Sequence, residues 1–161
     1  MTAFPEDPNS ESLPPFADSL PLWLVRAREA AMTRFRPVLR AHGVTEQQWR
    51  VLCTVRDLRE TEITALAGRV FLLPPSLSRI LRDLEARGLM LRRPSAQDQR
   101  RSLVSLTAEG QALIQRVEPS LLEAWLEVRR LCGDKLLDAL KDKLAALEAA
   151  LGPAPASDEG D

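Results

Sequence analysis

The residues best equipped for chemistry in this sequence are arginines. Residues 69–101 contain Arg69, Arg79, Arg82, Arg87, Arg92, Arg93, Arg100 and Arg101, opposed only by Asp83, Glu85 and Asp98, and no lysine. A planar guanidinium makes bidentate contacts with phosphate oxygens and with the O6 and N7 edge of guanine, a geometry that lysine lacks. The whole chain has a formal charge of −1, which hides a strong polarity. Its first 18 and last nine residues hold seven of the 23 acids and no base, so residues 19–152 stand at +6 and residues 69–101 at +5. A basic block of this kind suits a polyanion, and duplex DNA above all. The alternative is a solvated charged face.

Other chemistries have few residues to draw on. His42 is the single histidine, and Cys53 and Cys132 are far apart with no metal-ligand spacing, so neither a metal site nor a disulfide framework is expected. The sequence has no glycine-rich phosphate loop and no nucleophile, base and acid set, so no enzyme activity and no cofactor are expected. Cys53 lies among apolar residues and Cys132 follows Leu131, positions where a buried, inert thiol is the default and a redox sensor is not. No apolar run approaches the roughly 18 to 20 residues of a membrane span, and no basic flank precedes an apolar N-terminal stretch. A cytoplasmic protein with no membrane partner is therefore expected.

The arginines need elements to carry them. Residues 1–18 and 153–161 combine prolines with acids and are expected to be disordered tails around a single domain at 19–152. Leu20, Leu24, Ala27, Ala31, Phe35 and Val38 recur at helical steps up to His42-Gly43, predicting a long first helix kinked at Pro37. Thr45 is placed to cap a second helix bearing Trp49, Leu52 and Cys53, and Thr61 a short third bearing Ile63, Leu66, Ala67 and Val70. Pro74 and Pro75 open a fourth, where the missing N–H costs nothing, and its buried stripe is Leu77, Ile80, Leu81 and Leu84.

Leu89–Arg93 and Ser102–Leu106 read as two antiparallel strands around a polar loop. Thr107 caps the next helix, with Leu113, Val117, Leu121, Leu122, Trp125 and Val128 and a bend at Pro119. The last helix spaces Leu137, Leu140, Leu144, Leu147 and Leu151 by three and four residues, as in a coiled-coil seam.

Short helix, turn, helix and arginine-tipped hairpin make a winged helix-turn-helix, in a mostly α fold. Residues 45–107 are the DNA-reading part, and helices at 19–42 and 108–151 hold a second copy of the chain. Pro75, Ser76, Ser78, Arg79 and Arg82 lie on the recognition helix away from its buried stripe. The serines suit phosphates or base edges, and Arg79 or Arg82 suits guanine, unless Arg82 pairs with Glu85 or Asp98. On the wing, Gln99, Arg100 and Arg101 are the DNA-facing residues, with Asp98 bracing the loop and Arg100 pointing to a minor groove. A two-fold protein requires a pseudo-palindromic operator with half-sites about one helical turn apart.

These elements, in this order, resemble the MarR family of bacterial transcription regulators over residues 19–151. The most specific portion is Leu77-Ser78-Arg79-Ile80-Leu81-Arg82-Asp83-Leu84-Glu85-Ala86-Arg87-Gly88-Leu89, followed by Arg92-Arg93-Pro94, Asp98-x-Arg100 and Leu103-Val104-Ser105-Leu106-Thr107-x-Glu109-Gly110. Within that family, Ser19–Leu22, Ala27–Glu29, Phe35–Pro37 and His42–Leu52 look like the HpaR subgroup, repressors of homoprotocatechuate (4-hydroxyphenylacetate) degradation operons. The resemblance implies a dimeric repressor that releases DNA when an aromatic carboxylate binds between the dimer helices and the winged domain. Arg26, Arg28 and Arg36 on the first helix, His42 at its end, and Trp49 and Arg50 on the second are the parts that fit such a ligand. The recognition-helix arginine, Arg79, is used for ligands in some members. The alternative within the family is a regulator of stress or efflux genes that responds to another phenolic or to thiol oxidation.

Overall fold

The computed structural model describes residues 13, 15–96, 98 and 100–152. The tail at 153–161, most of the tail at 1–18 and the wing residue Gln99 fall outside the described residues. At the end of the N-terminal segment Phe16–Asp18 form a 3-10 turn, and Trp23 Nε1 donates to the Ala17 carbonyl at 3.3 Å. Pro15 leads into this turn with extended backbone, and the indole one helical turn downstream pins it.

Helix α1 spans Leu20–Ala41, α2 Glu46–Leu58, α3 Ile63–Val70 and α4 Pro74–Ala86. α5 spans Ala108–Cys132 and α6 Asp134–Leu151. Their ends follow from local chemistry. Thr45 and Gln48 close a reciprocal capping box on α2, with bonds of 3.1 and 2.8 Å, and satisfy two otherwise orphaned N–H groups. Pro74 and Pro75 occupy the first turn of α4, where fixed φ favours the helix. Thr107 accepts from the Gly110 N–H at 2.9 Å and donates to the Gly88 carbonyl at 2.7 Å, so one hydroxyl caps α5 and fastens it to the end of α4.

The sheet has one strand more than the hairpin expected from the sequence. β1 (Glu60–Glu62) lies on the outer side of β3 (Ser102–Leu106), which pairs on its other side with β2 (Met90–Pro94), all antiparallel. Thr61 is therefore not the cap of α3. It sits in β1 opposite Val104, and Glu62 precedes the helix without a side-chain cap. A three-residue Glu-Thr-Glu strand has no apolar alternation to announce it; only its pairing with β3 defines it.

The core lies beneath the reading head. Val51, Leu52 and Val55 of α2 meet Leu66 and Val70 of α3 and Leu77, Leu81 and Leu84 of α4, while Met90, Val104, Ile114 and Val117 close it from the sheet and α5. Each such side chain contributes about 1.5–3 kcal/mol by leaving water, so α4 is held against α2 and α3 as one unit. Gly110 permits the closest approach: a Cβ there would lie 2.1 Å from the Leu89 carbonyl oxygen. That contact brings the start of α5 against the entry to the wing.

The outer helices bury much less. α6 has no buried residue, and Leu140 and Leu144 of its leucine seam remain 45% and 42% exposed. On α1 only Leu39 is buried, although the helix packs along α5. Cys132, expected to be buried, is exposed, because the α5–α6 junction lies outside the core. Among the described residues no helix is long and apolar enough to cross a membrane.

Candidate DNA interface and ligand cleft

Burial of Leu77, Leu81 and Leu84 turns the other faces of α4 to solvent, and Pro75, Ser76, Ser78, Arg79 and Arg82 are all exposed there. Arg79 has no hydrogen-bonded or ionic partner among the described residues. Arg82 does not pair with Glu85 or Asp98; its Nε reaches only the Ser78 carbonyl, at 3.4 Å, one turn back on its own helix. Arg69, at the end of α3, is likewise exposed without a partner among the described residues. A spare guanidinium beside the recognition helix suits a flanking phosphate.

At the wing, the Asp98 carboxylate accepts from the Arg100 backbone N–H at 2.9 Å, and the Asp98 carbonyl accepts from the Arg101 N–H at 2.9 Å. These bonds tighten the loop and leave the Arg100 side chain outward and unpaired among the described residues. Arg101 is turned back instead: its guanidinium reaches Glu62 at 3.2 Å and Asp98 at 3.5 Å. Arg93 makes a two-point contact with Glu60 at 2.9 and 2.7 Å, and Arg92 bonds Glu85 at 2.7 Å. The two acids of β1 thus neutralise the base of the wing, leaving its free cation at the tip.

A second feature lies behind α2. α1, α2 and α5 enclose a cleft of about 1130 Å³, walled by Phe35, Leu39, Trp49 and Trp125 and edged by Arg28, Glu46 and Arg50. Arg28, Trp49 and Arg50 are thus brought together, whereas Arg26 and His42 are not. Two residues along a helix is about 200° of rotation, so Arg26 faces solvent when Arg28 faces the cleft. His42 lies past the end of α1, where its backbone closes the last turn on Leu39. Arg36 lines an adjoining cavity of about 580 Å³ together with Arg28, Arg40 and Arg50.

Glu46 is the residue that sequence reasoning passed over. Its carboxylate receives Arg28, Arg36 at 3.3 Å and Arg50 at 3.0 Å, and Arg36 also grips Glu29 at 2.6 and 2.8 Å. Three guanidinium groups here face two carboxylates, while Asp57 and Glu118, which also line the cleft, pair with Arg56. The hydrogen bond from Arg36 holds the Glu29 carboxyl below its ordinary range, so that acid stays ionised. The signal available in sequence was Glu46 four residues before Arg50 at the start of a capped helix. Cys53 also lines the cleft, and burial pushes its thiol up to about 11.

Comparison with known proteins fits this geometry. The MarR family model matches residues 44–102, the segment from α2 to the start of β3. The homoprotocatechuate degradative operon repressor of Escherichia coli is 43% identical over 111 residues, covering 69% of this chain and 75% of that protein. The structure of NadR in complex with 4-hydroxyphenylacetate superposes with a TM-score of 0.71 at 35% identity, over 84% of this chain and 96% of the other. The transcriptional repressor CouR, bound to a 23-mer DNA duplex, gives a TM-score of 0.75 at 26% identity, over 81% and 93% of the two chains. With a reading head, a wing and flanking helices in the order those relatives share, this chain belongs to the MarR family of DNA-binding transcription regulators.

Proposed function

We propose that the protein is a dimeric repressor of an aromatic-acid catabolic operon of the 4-hydroxyphenylacetate and homoprotocatechuate type, cytoplasmic in location, and that an aromatic carboxylate releases it from DNA. The observation that carries the ligand class is the cleft, in which aromatic walls at Phe35, Trp49 and Trp125 meet the guanidinium groups of Arg28 and Arg50. Such a site buries a ring and pairs a carboxylate. The names of two relatives, one a homoprotocatechuate operon repressor and the other a 4-hydroxyphenylacetate complex, support the same class.

In this reading residues 45–107 read DNA and helices at 19–42 and 108–151 join two copies. The leucines of α6, unburied within one chain, supply the apolar face that a second copy covers. Ser76, Ser78 and Arg79 enter the major groove and Arg100 the minor groove, at a pseudo-palindrome whose half-sites are about 34–36 Å apart. A ligand that prefers the non-binding arrangement by about 100-fold shifts the equilibrium by about 2.7 kcal/mol. A thiol-oxidation response at Cys53 is disfavoured, because its raised pKa keeps it a thiol and a poor nucleophile at neutral pH, which leaves the exposed Cys132 as the cysteine such a response would use.

Fluorescence anisotropy on the intergenic duplex upstream of the protein's own gene tests the ligand class. 4-Hydroxyphenylacetate is expected to weaken binding at least tenfold, and its uncharged amide to leave binding within twofold. Equal effects of acid and amide, or no effect of the acid, would refute it.

A further inference from the structure

The first two turns of α2 face two ways. On one side Glu46, Trp49 and Arg50 line the aromatic cleft. On the other, the same turns hold the recognition helix. Arg50 Nη1 donates to the Val70 carbonyl at 2.8 Å, while its Nη2 donates to Glu46 at 3.0 Å. Gln48 Nε2 donates to Asp83 Oδ2, on α4, at 2.7 Å.

Val70 is the last residue of α3, and three residues, Phe71 to Leu73, separate it from α4. Phe71 is in the left-handed region, φ 50° and ψ 51°, so the linker is a sharp turn. Its amide and that of Leu72 bond back to α3 at 3.4 and 3.2 Å. The Val70 carbonyl sits at the negative end of α3, where a cation is favoured and an orphaned acceptor needs a donor. Displacing that carbonyl displaces the N-terminal end of α4, which carries Ser76, Ser78 and Arg79.

We propose that Arg50 is the positioning residue that couples occupancy of the cleft to the recognition helix. One planar fork spans both sites, its two η nitrogens divided between a cleft carboxylate and a backbone carbonyl. A ligand carboxylate entering the cleft adds a charged acceptor to the edge shared by Arg28, Glu46 and Arg50. The bond from the cationic Arg50 to Val70 is already charge-assisted, but an ionised carboxylate adds the attraction of a full negative charge, which a neutral carbonyl lacks. The guanidinium therefore turns to the two carboxylates and gives up Val70, and the turn into α4 loses its tie to α2. Lysine carries its three donors on one nitrogen and cannot reproduce the two separated contacts of the planar fork.

The proposal rests on the aromatic-acid reading for its ligand arm, so the test has a second, ligand-free arm. In the first, operator Kd is measured with and without 4-hydroxyphenylacetate for the unsubstituted protein and Arg50→Gln, while tryptophan fluorescence of Trp49 and Trp125 reports the acid in the cleft. With each Kd taken at acid concentrations that saturate the fluorescence change, which are expected to be higher for Arg50→Gln because it loses one carboxylate partner, the ratio is expected to fall from at least tenfold to below threefold in that variant. An unaltered ratio, or joint loss of ratio and fluorescence change, overturns the proposal; the latter would make Arg50 a ligand contact only. Should Arg50→Gln lose its helical circular dichroism, Arg50→Lys replaces it under the same criteria.

The second arm is a double-mutant cycle without ligand. Glu46→Gln is expected to change operator Kd at least threefold when Arg50 is present and less than 1.5-fold beside Arg50→Gln. A change of the same size in both backgrounds, or in neither, overturns the coupling role. If the unsubstituted protein binds its operator but ignores the acid, the aromatic-acid reading fails, and this cycle alone decides the role of Arg50.

Discussion

The arginines of the reading head fall into two groups that a charge count cannot separate, and salt dependence distinguishes them. Arg100 projects from the wing with its guanidinium unpaired among the described residues, whereas Arg93 is held by Glu60 through two bonds of 2.9 and 2.7 Å. A free cation placed on DNA releases counterions; one already neutralised by a carboxylate contributes little. Each phosphate neutralised adds about −0.9 to the slope of log K against log salt, so removing Arg100 from both copies of a dimer should reduce the slope by about 1.8.

Between 50 and 200 mM salt that difference amounts to a factor of about 12. Arg100→Ala should therefore lose most affinity at 50 mM and be about 12-fold closer to the unsubstituted protein at 200 mM. Arg93→Ala exposes Glu60 in place of an ion pair and should shift the slope by less than about 0.5 per dimer. The assay is anisotropy of a labelled operator duplex across at least five salt concentrations, with folding checked by circular dichroism. Equal slope changes in the two variants, or a larger one for Arg93→Ala, would refute the division between free and paired arginines.

Three further outcomes are expected. Arg79→Ala should relax sequence preference as well as affinity, losing about 1–3 kcal/mol of discrimination at one base pair of each half-site, as read by competition with single-base operator variants; a uniform loss across variants would place Arg79 on phosphate. Gly110→Ala forces a methyl group against the Leu89 carbonyl and should cost about 1–3 kcal/mol in urea denaturation; unchanged stability would mean that the close approach is not rigid. The Cys53 thiol is raised by burial from 9.0 to about 11, so its folded form holds its proton more tightly than its unfolded form. Its contribution to stability is complete below pH 9 and is lost as pH rises to about 11, and iodoacetamide at pH 8 should modify Cys132 well before Cys53; faster alkylation of Cys53 would contradict its burial.

Helical periodicity made most of the architecture legible, because the core-facing residues of α2, α3 and α4 recur at the spacing that a buried face demands. Leu77, Leu81 and Leu84 are all buried, and the serines and arginines between them are exposed. Thr61 was misread because Ser, Thr and acids before a helix look like a cap, whereas β1 exists only through backbone pairing with residues some 40 positions away. Pairing also separated Arg100 from Arg101. Neighbours in sequence on a turn, they diverge because Glu62 of β1 lies within reach of one and no acid among the described residues lies within reach of the other.

The cleft was legible only in part, for a geometric reason. Arg28 and Arg50 belong to helices whose mutual rotation no spacing reveals, and Arg26 is two residues from Arg28 yet on another face. Glu46, which ties three arginines together, reads in sequence as an ordinary first-turn acid. The link from the cleft to α4 passes through a backbone carbonyl, an acceptor that every residue carries and that no side-chain motif marks.

That two copies of this chain place paired reading heads on one operator is tested most directly by sedimentation velocity of the protein with a duplex from its own upstream region. The expected complex contains two chains per duplex, forms at low salt, and dissociates when 4-hydroxyphenylacetate is added. One chain per duplex, or equal affinity for the whole operator and for an isolated half-site, would contradict it.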